Sequence, residues 1–255
     1  MYYNNNNIEQ FKSSSGYEID GIWYPRVTKI VEIKAKPALY RFYGDLGSFN
    51  EGEAIKKQSA SEGTMLHEAV EKILVGGKPE VDQIIKPAVE AFIEFLNKTN
   101  IQVDPEFVEK QIVNFDDRYA GTMDALALID GKFGVLDIKT SQAIYRDYNL
   151  QTSAYMAALE NQFKNLQSRW ILRIDQGRKC LNCGATMREK GGRQKIKTPY
   201  TAKAKACKHI WSEPKGEVEL KEFPYWQQDY KAFLGAKRLW EWENEYLLKQ
   251  AGYLS

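Results

Sequence analysis

Apolar residues along the chain switch between a helical and a strand period, and the switches divide it into blocks. Across 59–75, Met65, Leu66, Ala69, Val70, Ile73 and Leu74 form a helical stripe that Gly76-Gly77 ends. A second helix is expected over 81–97, with Ile84, Ile85, Ala88, Phe92, Ile93 and Phe95 supplying core contacts. Strands then follow at roughly 107–115, 121–129 and 133–140. A helix over 146–163, a strand over 169–175 and a long C-terminal helix over 225–249 complete the pattern. That last helix offers Trp226, Tyr230, Phe233, Leu234, Trp240 and Leu247 for packing. Near the start, 1–15 are polar and aperiodic, which predicts a loosely docked end. After them, 17–23 with an internal Asp20-Gly21 turn reads as a small hairpin, and 25–33 leads into helix.

The Asp130-Gly131 pair carries more information, because apolar runs on both sides of it mark a two-residue hairpin loop. With Asp130 and Gly131 as the loop, Ile129 pairs with Lys132, and counting back sets Asp124 opposite Asp137. Their Cβ atoms would then be roughly 4.5 to 5.5 Å apart on one face. Alternation puts Lys139 on the face of Asp137, with Leu136 and Ile138 on the other. Two carboxylates at that separation repel, and a divalent cation with oxygen ligands would offset the repulsion. An Asp-Lys face can also be ordinary strand-surface electrostatics, and the hairpin by itself does not decide between the two.

Cys180-x-x-Cys183 and Cys207-x-His209 make paired short spacings suited to a tetrahedral Zn²⁺ site of the Cys₃His type. The intervening segment is polar, and structural zinc could supply folding energy on the order of 10 kcal/mol. It also carries Arg188, Lys190, Arg193, Lys195, Lys197, Lys203 and Lys205, opposed only by Glu189. A charge run is usually a solvated face, but this one is also the candidate for DNA phosphate contact. The segment leaves after the strand ending near Asp175 and returns before Glu217. It therefore reads as an elongated hairpin budding from the main body.

Several motifs occur in a fixed order: Gly63-Thr64-x-x-His67-Glu68, Tyr119-Ala120-Gly121-Thr122-x-Asp124, Leu136-Asp137-x-Lys139-Thr140-Ser141 and Gln151-x-x-x-Tyr155, preceded by Pro25-x-Val27-Thr28. Together they resemble the PD-(D/E)XK nuclease superfamily in its RecB-like branch, most closely the mitochondrial genome maintenance exonucleases and their bacterial and phage relatives. The resemblance implies an α/β fold with a restriction-endonuclease-like core, a mixed β-sheet flanked by helices, and here an inserted zinc-ribbon-like hairpin. In domain terms it implies a single nuclease domain over 1–255 with a metal-binding ribbon inserted at 176–216.

The same resemblance implies a metal-dependent DNA exonuclease acting on single strands or free ends. Asp124, Asp137, His67 and the Ile138 carbonyl would hold catalytic Mg²⁺ or Mn²⁺, and Lys139 would position the attacking water or offset charge on the phosphate. Glu109 matches an acidic position of these exonucleases. Gln151 and Tyr155, which share a helix face, would point at the site and orient Lys139 or a phosphate. Some RecB-like nucleases hold an iron-sulfur cluster with a cysteine far upstream. This chain has none there, which favours zinc. A restriction-like or structure-specific endonuclease and a catalytically silent nucleic-acid-binding module remain alternatives.

Bulk properties add little to this. The 255 residues suit one domain, 43% hydrophobic and 27% charged residues are ordinary for a globular protein, and the net charge of +2 neither requires nor excludes DNA. Three cysteines argue against a disulfide framework. Without an apolar run of membrane length or a signal-like start, a cytoplasmic location is expected, in a bacterium or in the host of a phage.

Overall fold

The computed structural model describes residues 6–255. In chain order the elements are α1 (Asn6–Ser15), β1 (Gly16–Ile19), β2 (Ile22–Pro25), α2 (Val27–Val31), α3 (Pro37–Gly44), α4 (Phe49–Leu74), α5 (Lys86–Leu96), β3 (Ile101–Asn114), β4 (Tyr119–Ile129), β5 (Lys132–Lys139) and α6 (Tyr148–Leu159). They continue with β6 (Ser168–Lys179), β7 (Thr186–Lys190), β8 (Arg193–Lys197), α7 (Ala202–Lys205), β9 (Lys215–Glu222), α8 (Gln227–Glu243) and α9 (Glu245–Gln250).

The main sheet runs β3-β4-β5-β6-β7-β8, with β9 paired to β6. Only β5 and β6 are parallel, joined by α6 as a βαβ crossover. The expectation of a mixed sheet flanked by helices holds at this level. On one face, Leu66, Val70, Ala88 and Phe92 of α4 and α5 pack on Ala125, Ala127, Leu136, Ile138 and Leu172. On the other, Val27, Ile30, Tyr155, Phe233 and Trp240 pack on Met123, Leu126 and Val135. Arg169 crosses from β6 to α8, pairing with Asp229 and donating to the Asn149 carbonyl at 3.0 Å.

Four local expectations need correction. The N-terminal segment is not loose from Asn6 onward. It forms α1, whose Phe11 packs on Trp23 and stacks on Trp240, while Trp23 Nε1 donates to the Lys12 carbonyl; residues 1–5 lie outside the described residues. Helix α4 starts ten residues before the apolar stripe, at a Ser48 cap that accepts from Glu51 N–H. Its early turns bury Gly52 and Glu62, so no apolar stripe announces them. On α5, Ile93 is 44% exposed, as is Ile84 just before it, while the expected Ile85, Ala88 and Phe92 are buried and Val89 joins them. The C-terminal helix breaks at Asn244, whose side chain donates to the Trp240 carbonyl, and Leu248 rather than Leu247 is fully buried.

Candidate metal centres

The β4–β5 hairpin has the register that Asp130-Gly131 implied, from Ile129↔Lys132 to Ala125↔Leu136. Asp124 and Asp137 are the next positions, and there the two strands stop pairing. The Asp124 carboxylate takes up the Ile138 N–H at 2.5 Å. It therefore lies buried at the mouth of the two strands, with His67 of α4 above it. His67 Nε2 is 3.4 Å from Asp124 Oδ2 and 2.8 Å from Glu71 Oε1.

Glu109 completes this group from β3. It falls opposite Asp124, between the pairs Val108↔Ala125 and Lys110↔Met123, with φ at 51° just past an irregularity in the strand. A non-glycine residue in that region is uncommon and concentrates at functional sites. One ligand atom each from His67, Glu109 and Asp124 lies within 4.8 Å of the others.

Asp137 stands beside this trio, not in it. Its Oδ1 accepts from Gln151 Nε2 at 3.2 Å, and Oδ2 is 2.7 Å from Lys139 Nζ. Gln151 also donates to the Tyr155 hydroxyl at 2.9 Å. Tyr155 is buried against Gly121, where a β-carbon would come within 2.7 Å of its ring. The pair thus orients Asp137, rather than touching Lys139. Lys139 in turn lies over the Tyr148 ring, 5.2 Å from its centroid. Ile138 contributes its N–H to Asp124.

Electrostatics bind these groups into one unit. Burial works against a charge on His67, but the Asp124 and Glu71 carboxylates outweigh it and push its pKa up to about 10. Burial works against the Asp124 carboxylate as well, yet His67, Lys139 and the Ile138 N–H hold its pKa below the usual range. Asp137 moves the other way. Burial, reinforced by Asp124, brings it up to about 6 in spite of Lys139. Partial burial and then the Glu71 carboxylate raise Glu109 to about 8. Glu71 was not among the sequence candidates, although its place four residues after His67 is the spacing that brings two side chains to one helix face.

The donor set fits a divalent cation. His67 Nε2 is held between the Glu71 and Asp124 carboxylates, and Asp137 Oδ2 is paired with Lys139, so the buried carboxylates and the imidazole converge on one spot. Carboxylates with one imidazole suit Mn²⁺, and the carboxylates suit Mg²⁺.

The second cluster lies beyond the end of β6. A turn carrying Cys180 and Cys183 pairs with the segment carrying Cys207 and His209 through the Cys180↔Trp211 bridge and the Leu181 N–H to Ile210 carbonyl bond. Cys180 Sγ is 3.8 Å from Cys207 Sγ, and Cys183 Sγ is 3.4 Å from His209 Nδ1. Tetrahedral zinc with bonds of about 2.3 Å to sulfur and 2.0 Å to nitrogen needs edges of roughly 3.5 to 3.8 Å. A disulfide would need the sulfurs at about 2.05 Å. Burial disfavours the Cys180 thiolate, but the Asn182 and Cys183 N–H groups and His209 bring its pKa down to about 6. Burial and the neighbouring sulfurs push Cys207 up to about 11. A thiol held down at Cys180 beside one held up at Cys207, in a set of four converging donors, matches a site built for a cation.

The basic run between the ligand pairs divides in two. Arg188 donates to both oxygens of Asp175, Lys190 donates to Thr140, and Arg193 lies over the Phe42 ring. These three are turned into the protein, so the hairpin folds back instead of budding outward. Lys195, Lys197, Lys203 and Lys205 are exposed.

Fold and site together define a mixed α/β protein with a His-carboxylate centre at the mouth of its sheet and a Cys₃His cluster beyond the end of β6. No protein-family model and no curated protein matches the chain. Among the described residues, no helix is long and apolar enough to cross a membrane.

Proposed function

We propose that the chain is a metal-dependent DNA exonuclease of the RecB-like branch of the PD-(D/E)XK superfamily, on a restriction-endonuclease-like core. The observation that carries this reading is the buried pair Asp124 and Asp137 with half-buried Lys139 at one strand mouth, and His67 facing it from α4. His67, Asp124 and Glu109 would hold Mg²⁺ or Mn²⁺, with Asp137 beside them. A divalent cation there supplies Lewis acidity toward a phosphate oxygen and makes a water more acidic.

The chain's own residues do the rest. Lys139, held by Asp137, presents a positive charge to an oxygen of the phosphodiester as negative charge develops on it. Gln151 fixes the Asp137 carboxylate, and Tyr155 fixes Gln151. Cys180, Cys183, Cys207 and His209 hold a structural Zn²⁺, and Lys195, Lys197, Lys203 and Lys205 contact the DNA backbone.

A groove of about 750 Å³ reaches the site at Gln151 and Tyr148, lined also by Phe42, Tyr145, Lys36 and Arg146. Aromatic rings interleaved with cations suit a single strand, whose bases stack while its phosphates are neutralised. The test is purified protein with Mg²⁺ or Mn²⁺ on end-labelled linear and circular DNA, single- and double-stranded. Degradation of linear single strands with circles left intact is expected. Cutting of circles would favour the endonuclease reading, and no cleavage at all with DNA still bound would favour the silent binding module.

A further inference from the structure

The turn between β7 and β8 is docked against α4 and the end of β5, next to the elements that carry His67 and Lys139. The Gly191 N–H points at both oxygens of the buried Glu62 carboxylate, at 3.1 and 3.0 Å, and Glu62 is steadied by Gln58. At Gly191, φ is +65°, and a β-carbon would come within 2.1 Å of Ser59 Oγ and 2.5 Å of the Ile55 carbonyl. Only glycine lets this turn lie so close to α4.

One residue earlier, Lys190 Nζ donates to the Thr140 carbonyl at 2.5 Å and to Thr140 Oγ1 at 3.1 Å. Among the described residues it has no carboxylate within ion-pair distance, although Arg188 nearby is paired with Asp175. The ammonium therefore sits at a joint. Thr140 directly follows Lys139, and a β-carbon on Gly63 of α4 would be 2.9 Å from Thr140 Oγ1 and 3.6 Å from Lys190 Nζ.

Two of the elements that build the site meet at that joint: α4 brings His67 and Glu71, and β5 brings Asp137 and Lys139. The hairpin that reaches it grows from the cysteine turn. Cys180 N–H bonds to the Ala185 carbonyl immediately before β7, and β8 leads through α7 to Cys207. A cluster remote from the chemistry is thus tied by a short ribbon to the spacing of the catalytic elements.

We propose that the Cys/His cluster and its β7–β8 hairpin brace α4 against the end of β5, with Lys190 and Glu62 as positioning residues for the catalytic centre. This rests on the nuclease reading only for its effect on cleavage. The brace itself concerns where His67 stands relative to Lys139.

The test compares wild type with K190M, K190R and E62Q as full-length, zinc-loaded protein, in three measurements: Mn²⁺ affinity by calorimetry, hydrogen exchange across α4 and β5, and steady-state cleavage of linear DNA. Residues that orient a metal's ligands typically change its affinity or the activity about 10- to 100-fold when removed. K190M is expected to weaken Mn²⁺ by at least about tenfold, to speed exchange in α4 from Ser59 to His67, and to lower kcat with little change in KM; K190R should recover most of each. Should K190M not fold, E62Q carries the same expectations through the opposite end of the turn. Wild-type Mn²⁺ affinity and exchange in both variants would overturn the proposal, as would a rise in KM alone with a shallower salt dependence, which is the signature of a phosphate contact. A wild type that never cuts DNA would sink the nuclease reading while the first two measurements still decide the brace.

Discussion

The two metal-ligand clusters are built on opposite principles. The His-carboxylate centre draws each group from a different element, α4, β3, β4 and β5, so it exists only when the sheet and helix are assembled. Its groups are already ion-paired with one another, His67 with Glu71 and Asp124 and Asp137 with Lys139. The Cys/His cluster takes its ligands from two short turns, and its donor spacing already fits a tetrahedron. A closed set of three thiolates and an imidazole suits structure, whereas two carboxylates and an imidazole beside a lysine suit chemistry. The difference teaches that ligand count matters less than what stands next to the ligands.

The sharpest way to break this comparison is to remove the lysine and its partner. Asp137→Ala and Lys139→Ala should each lower cleavage by at least about 10²-fold, as loss of a charge aimed at the reacting oxygens does. Both should still bind DNA by gel shift; wild-type turnover in either would remove the functional distinction between the clusters. Next in size, Cys183→Ser should lose the zinc that wild type retains through gel filtration, read by elemental analysis, and should lower the Tm. An unchanged Tm in zinc-free protein would show that the cluster holds nothing together.

A smaller effect is expected from the exposed lysines. Replacing Lys195, Lys197, Lys203 and Lys205 together by Ala should flatten the dependence of log affinity on log salt by up to about 0.7 for each phosphate that is no longer neutralised. The smallest effect concerns the pH dependence of stability. Burial and Arg188 bring the Lys190 pKa down to about 8 from 10.5. Between those values the unfolded chain binds more protons at this position than the folded one, so wild-type stability should rise with pH relative to K190M. The gain is absent below the folded pKa and complete above the unfolded one. Urea unfolding at about pH 7.5 and about pH 9.5 checks the sign, and a constant difference would mean that the ammonium is not buried as described.

Local chemistry was readable where the determinants are local. Asp130-Gly131 set the hairpin register, and with it the adjacency of Asp124 and Asp137, without reference to anything distant. The four zinc-type ligands also meet as their spacing implied. What escaped depends on contacts between remote segments. The expectation that the two aspartates face each other across a cation did not foresee that Asp124 would turn to the Ile138 N–H and Asp137 to Lys139 and Gln151. Strand separation at that point is a tertiary effect. Arg188 and Lys190 read as candidate DNA-phosphate contacts because nothing near them in sequence announces Asp175, Thr140 or the glycine that fits against Ser59. Glu109 was picked out by the resemblance alone, because its positive φ, which belongs to the irregular β3 edge, has no local signal in the sequence.

The most direct test of the two-centre account is a paired metal titration on one preparation. Zinc would be counted by elemental analysis and Mn²⁺ binding measured by calorimetry, in wild type, in Asp124→Asn and in Cys183→Ser. Wild type should hold one zinc and bind Mn²⁺ separately, Asp124→Asn should lose Mn²⁺ and keep zinc, and Cys183→Ser should lose zinc. Undiminished Mn²⁺ binding in Asp124→Asn, or zinc lost with it, would contradict the assignment of two distinct centres.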